Sequence, residues 1–226
     1  VGVAITAGKL GIGFTDNNVK VGNTALDSLT VGGQNVAVGN NALTANTSAH
    51  DNTAVGHDSL STNTTGAQNT GLGHRSLQSN TTGSQNTAVG RHSLNANTTA
   101  NSNTAVGYHA LAVNTTGADN AAVGAEALDA NTTGDSNTAF GYRSLTANTT
   151  ASNNTSVGKN SLLANTTGTA NVAVGKDALK SNTTTSNNTA LGAFALEDNT
   201  AASNTAVGEV SMNKNTTGTE NVALGF

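Results

Sequence analysis

A short apolar cassette returns along this chain at a fixed interval. It reads Asn, then Thr or Val, then a small residue, then a larger apolar residue, then Gly, as in Asn52-Thr53-Ala54-Val55-Gly56 and Asn86-Thr87-Ala88-Val89-Gly90. Three and four residues after each glycine come Ala or Ser and then Leu, from Ala25-Leu26 to Ala195-Leu196, with Ser211-Met212 last. Seven after the glycine comes Asn, mostly followed by Thr-Thr-Gly or Thr-Thr-Ala; the first copy departs, with Leu29-Thr30-Val31 in that place. The glycines stand 17 residues apart from Gly22 to Gly192, and after one 16-residue step to Gly208 the period resumes at Gly225. A fixed short period signals one unit stacked on itself, a solenoid or fibre in place of a globule.

Within the cassette, side chains alternate as on a strand, so the Thr and Val positions share one face and the Asn and Ala positions the other. The Ala/Ser-Leu pair reads as a second short strand. Asn-Thr-Thr-Gly is turn chemistry, because Asn and Gly tolerate positive φ and hydroxyl or amide side chains bond nearby backbone. A helical repeat would need 30 or more residues and long-chain helix formers. The expected fold is therefore all-β: a parallel β-solenoid with 17-residue coils over 18–226, preceded by an irregular cap or linker at 1–17. Coils paired at ~4.8 Å give a rod roughly 60 Å long.

Stacking turns each position into a column. A Leu column and a Val column are expected to fill the interior, and two Asn columns to exchange amide hydrogen bonds up the stack. The small residues two before and three after the glycine predict close approach of sister chains, hence a homotrimer. The alternative is a single-chain solenoid with these residues pointing inward. The step from Gly192 to Gly208 predicts a shortened turn near 199–203 with the columns otherwise kept.

Composition narrows the function classes. Aromatics are 3%, charged residues 10% and the formal charge −4, which leaves no basic footprint for nucleic acid or an anionic membrane. There is no Cys, so no disulfide or thiolate metal site, and no Pro, which suits unbroken ladders that use every N–H. No apolar run approaches ~20 residues, so no membrane insertion is expected. The chain opens at Val1, which reads as a processed product or a segment of something longer.

No nucleophile–base–acid set assembles, so no enzyme activity, catalytic residue or cofactor is expected. His57 and His74 share one repeat position and His92 and His109 the next, with His50 elsewhere. A stacked metal site is conceivable there, but the positions read as a permissive exposed corner and no metal is expected. The carboxylates Asp58, Glu126, Asp129, Asp177, Glu197, Asp198 and Glu209 lack calcium-loop spacing. Glycosylation sequons stand at Asn46, Asn63, Asn80, Asn97, Asn114, Asn131, Asn148, Asn165, Asn182 and Asn215; they read either as a glycan coat or as incidental to the turn. Pairs such as Thr64-Thr65 and Thr81-Thr82 offer a remote alternative, a water-ordering array of the ice-binding kind.

Segments such as Asn103-Thr104-Ala105-Val106-Gly107-Tyr108-His109-Ala110-Leu111, followed by Asn114-Thr115-Thr116-Gly117, resemble the repeats of tail-fibre-domain proteins. In those fibres the repeats often precede an endosialidase-type intramolecular chaperone. Gly8-Lys9-Leu10-Gly11-Ile12-Gly13 is similar to a linker of the same fibres, although Phe14-Thr15-Asp16-Asn17 replaces the usual continuation. A looser likeness is to the head repeats of trimeric autotransporter adhesins. The resemblance implies an extracellular or virion-surface fibre, usually trimeric, that carries or presents recognition of a cell-surface glycan or receptor. A bacterial surface adhesin or self-assembling extracellular filament is the alternative in the same class.

Overall fold

The computed structural model describes residues 17–226, so the predicted cap at 1–17 lies outside the described residues apart from Asn17. Thirteen strands of three residues each form one sheet, from β1 (Val19–Val21) and β2 (Val36–Val38) to β13 (Val222–Leu224). Every strand pairs in parallel with the next in sequence, and equivalent positions meet: Val19 with Val36, Lys20 with Ala37, Val21 with Val38. This is a parallel β-solenoid of about 17 residues per turn, with no helix among the described residues.

Only the cassette is a strand. The predicted second strand at Ala/Ser-Leu is instead part of a turn, and the reason is local. The residues two and four after the glycine hold positive φ, as in Arg75 (58°) and Leu77 (51°) or His109 (55°) and Leu111 (53°). Two left-handed residues so close together bend the chain too sharply for a strand, yet its inter-coil bonding continues. Leu60 N donates to Ser76 O at 3.0 Å, Asp58 N to Asn40 O at 3.0 Å and Thr64 N to Thr81 O at 2.9 Å. The backbone groups of the turn are thus satisfied by neighbouring coils.

The recurring glycine is fixed by geometry. Gly107 has φ 138°, and a Cβ built there would lie 2.6 Å from the carbonyl oxygen of Gly124 one coil on. An L side chain meets both obstacles at once, strained backbone and a main-chain atom that cannot move aside.

The interior holds Leu, Ala or Ser, and Asn. Leu43 through Leu196 are fully buried, and so are Ala37, Ala54, Ala88 and Ala105 two before the glycine and Ala42, Ser59 and Ala110 three after it. This corrects two expectations. The Val column does not fill the coil; it lines the outside, with Val55 37% and Phe140 56% exposed. The small positions likewise face inward beside the leucine, where the coil holds Ala or Ser, so they offer no surface to a sister chain. Parity explains both. The Asn just before each strand and the Ala at its centre point to the same side, and once Asn is drawn inside to bond backbone, Val is turned out.

The predicted Asn columns are present. Asn52 Oδ1 accepts from Asn69 N at 2.9 Å, and Asn80 Nδ2 donates to Asn63 Oδ1 at 2.7 Å. The same linkages continue along most of the rod. The missing residue falls where expected. In complete turns Asn Nδ2 reaches the carbonyl three residues on, as from Asn165 to Gly168, whereas Asn199 Nδ2 reaches Ala201 O two residues on. Strands β11 (Thr189–Leu191) and β12 (Thr205–Val207) still pair in register.

Candidate functional site

Two surfaces stand out from the regular coil. The first is the outer face of the sheet. Each strand points its first and third side chains outward, giving a Thr column (Thr53, Thr70, Thr87, Thr104, Thr138, Thr155, Thr189, Thr205) beside a column of Val, Leu and one Phe. None of these eight threonine hydroxyls bonds within the described chain. Val36, Ala121 and Val172 interrupt the Thr column, and Phe140 stands proud of its neighbours. The result is an amphipathic stripe, methyls beside unpaired hydroxyls, that runs the described length of the rod.

The Thr pairs of the turns are different. Thr64 Oγ1 donates to Thr81 O at 3.0 Å and Thr81 Oγ1 to Thr98 O at 3.0 Å. In most turns the first threonine thus spends its hydroxyl on the ladder.

The sequon asparagines are placed inside. Asn46, Asn63, Asn80, Asn97, Asn114, Asn131, Asn148, Asn165 and Asn182 are fully buried; Asn215 is half-buried. Their amide nitrogens are engaged: Asn114 Nδ2 donates to Asn97 Oδ1 at 3.1 Å and to Gly117 O at 2.9 Å. In the folded rod the atom a glycan would be joined to is withheld.

The second surface is the corner after the glycine in four successive coils. His57, His74, His92 and His109 form a ladder of rings with centroids 5.6, 5.4 and 5.2 Å apart. The repeat position shifts by one between His74 and His92, yet the rings stay adjacent. Asp58 lies against this ladder, with Oδ2 2.9 Å from His57 Nδ1 and 3.5 Å from Arg75 Nε, while Asn41 Nδ2 donates to Oδ1 at 2.9 Å. Burial pushes the Asp58 carboxyl up, but the Asn41 bond and the charges of His57 and Arg75 outweigh it and hold it below its ordinary range. His92 is held below the ordinary histidine range, first by burial and then by Arg91 and the neighbouring histidines and Arg75. His50 is separate: its Nδ1 accepts from Gly33 N at 3.0 Å.

Sequence reasoning places His57 and His74 in one column and counts Asp58, one residue later in the repeat, only among the scattered carboxylates; the structure sets it against His57. The signal was available, because Asp58 adjoins His57 and lies one coil from Arg75 and Asn41. The other carboxylates are dispersed. Asp177 occupies the Asp58 position in a later coil, between Lys176 and Lys180 at 3.7 and 3.8 Å. Glu126 pairs with Arg143 at 3.4 Å, and Asp198 with Lys214.

No protein-family model matches the chain, and no curated protein or solved structure matches it either.

Proposed function

We propose that this chain is the shaft of an extracellular or virion fibre of the tail-fibre kind, a non-catalytic spacer that carries or presents recognition of a host or cell surface. The supporting observation is the unbroken in-register ladder of thirteen strands. Such a ladder makes a stiff rod whose length scales with repeat number, which is what a shaft requires. The resemblance of the repeats to tail-fibre-domain proteins points the same way.

In this reading the shaft is a homotrimer, and the sister chains meet through the outer Thr–Val stripe. A continuous exposed apolar column of this kind marks an interaction surface. Light scattering coupled to size exclusion tests the assembly: the expected mass is three times the 22.2 kDa chain. Negative-stain images should show rods. A monodisperse 22.2 kDa species would remove the trimer and leave the rod. A surface adhesin or self-assembling filament would use the same coil, and flanking domains in the full gene separate the two: a capsid-attachment region favours the virion, a membrane anchor the adhesin.

The outer Thr column favours one further reading, ordering of water or ice by regularly spaced hydroxyls and methyls. The gaps at Val36, Ala121 and Val172 and the bulk of Phe140 break that lattice. A thermal-hysteresis measurement tests it: no hysteresis would dispose of this reading.

A further inference from the structure

We propose that His57, Asp58 and His74 form a binding site for a single divalent transition-metal ion of the zinc, nickel and copper class. Each residue offers one ligand atom, and the three atoms lie within 4.8 Å of one another. An ion with bonds of about 2.0–2.2 Å in tetrahedral geometry holds its ligands roughly 3.3–3.6 Å apart. The distances here need only side-chain rotation of partly exposed residues. Two imidazoles and one carboxylate with an open fourth position are a donor set that suits borderline divalent ions.

The fold supplies the spacing. His57 and His74 occupy the same position in adjacent coils, so parallel stacking holds their rings side by side, 5.6 Å between centroids. Asp58 is anchored by Asn41 Nδ2 on Oδ1, which leaves Oδ2 directed at His57 Nδ1, 2.9 Å away. A metal ion would take the place of the proton shared by those two atoms, and binding would release it. His74 supplies an independent observation. Among the described residues, the buried side-chain polar atoms without a hydrogen-bond partner are His74 Nδ1 and Arg143 Nε. An imidazole whose buried nitrogen has no hydrogen-bond partner, standing beside a His–Asp pair, is free to turn a ring nitrogen to an ion as the third donor.

One group opposes binding. Arg75 Nε lies 3.5 Å from Asp58 Oδ2, and its guanidinium must swing into solvent when a cation enters. The comparison within the chain is informative: Asp177, at the Asp58 position, is flanked by Lys176 and Lys180 and has no histidine beside it. The site is therefore specific to the coils that carry His57 and His74.

Zinc titration of the full chain by calorimetry tests the proposal. One zinc per chain is expected, with absorption-edge spectroscopy of the loaded protein reporting two imidazoles and a carboxylate oxygen. Loss of an outer-shell partner alone costs about 10–100-fold in metal affinity, so His74→Asn and Asp58→Asn should each lose at least that much. Arg75→Gln should bind several-fold tighter, a gain that a structural role for Arg75 does not produce. The double variant His92→Ala/His109→Ala should bind as the parent does. Circular dichroism of each zinc-free variant checks that the coil is intact. Zinc binding that is unchanged in His74→Asn, lost in the His92/His109 variant, or coordinated by water oxygens alone would overturn the assignment.

Discussion

Asn69 and Asn80 meet on one atom: both donate Nδ2 protons to the carbonyl oxygen of Gly83, at 2.8 and 2.9 Å. One residue opens a strand and the other opens the turn, so the shared acceptor ties the two sides of the coil together. The pattern repeats with Asn52 and Asn63 on Gly66, and with Asn103 and Asn114 on Gly117. A narrow coil with one leucine per turn depends on such links, because the amides fill interior volume and satisfy backbone at once.

Replacing Asn80 by Ala should therefore destabilise the rod. It removes the donors to Asn63 Oδ1 and Gly83 O, and leaving a buried acceptor unpaired costs about 1–3 kcal/mol. The thermal midpoint should fall. An unchanged midpoint would mean that the Asn columns are packing filler and not structural links.

Gly107→Ala should be at least as damaging. The added Cβ meets Gly124 O, and the φ of 138° is outside the range an L residue adopts readily. Strain of this kind costs on the order of 1–3 kcal/mol before the clash is counted. Urea titration followed by circular dichroism should show an earlier transition than for Ala112→Gly, which changes backbone freedom elsewhere in the same coil.

The outer stripe separates assembly from folding. Val89→Lys with Val106→Lys places charge on the exposed face between the half-buried positions of β5 (Thr87–Val89) and β6 (Thr104–Val106). Surface changes of this kind alter chain stability by about 0.5 kcal/mol or less. The circular dichroism spectrum should persist while light scattering falls to the single-chain mass. A trimer that survives both lysines has its interface elsewhere.

Asp129 provides a pH dependence. Burial raises its carboxyl above the ordinary value, with Glu126 adding to the rise and His109 opposing it. The folded chain thus holds this proton more tightly than the unfolded chain does. Through this group, stability grows as pH falls from the folded value towards the ordinary carboxylate value, and the charged form is disfavoured at neutrality. Asp129→Asn should raise the thermal midpoint at pH 7, and the difference should vanish near pH 3.

The sequons make a further prediction. With nine of ten amide nitrogens buried and bonded, protein from a glycosylating host should have the unmodified intact mass. Modified chains, if present, should be confined to Asn215 or to material that has not folded.

Much of this fold is legible in the chain. A 17-residue glycine period, an Asn four before each glycine and a Leu four after it require a short coil with in-register columns. The shortened turn at 199–203 follows from counting alone. These features are readable because they are local and repeated, so each copy tests the others. The histidine corner was only half legible: the repeat puts His57 and His74 in one column, but the contacts that hold Asp58 against His57 involve Asn41 and Arg75, which arrive only with the stacking of neighbouring coils.

What the sequence could not assign was which face of the strand points inward. Hydrophobicity alone favours Val inside, and Thr-Ala-Val permits either orientation. The closed coil decided it: Asn must reach Gly83 O and its equivalents, the positions beside Leu hold Ala, Ser or Gly in all but the first coil, and strand parity then sends Val and Thr to the surface. The period belongs to the sequence because it is a property of spacing. The inside and the outside belong to the tertiary structure, because volume and hydrogen-bond reach exist only once the coil has closed.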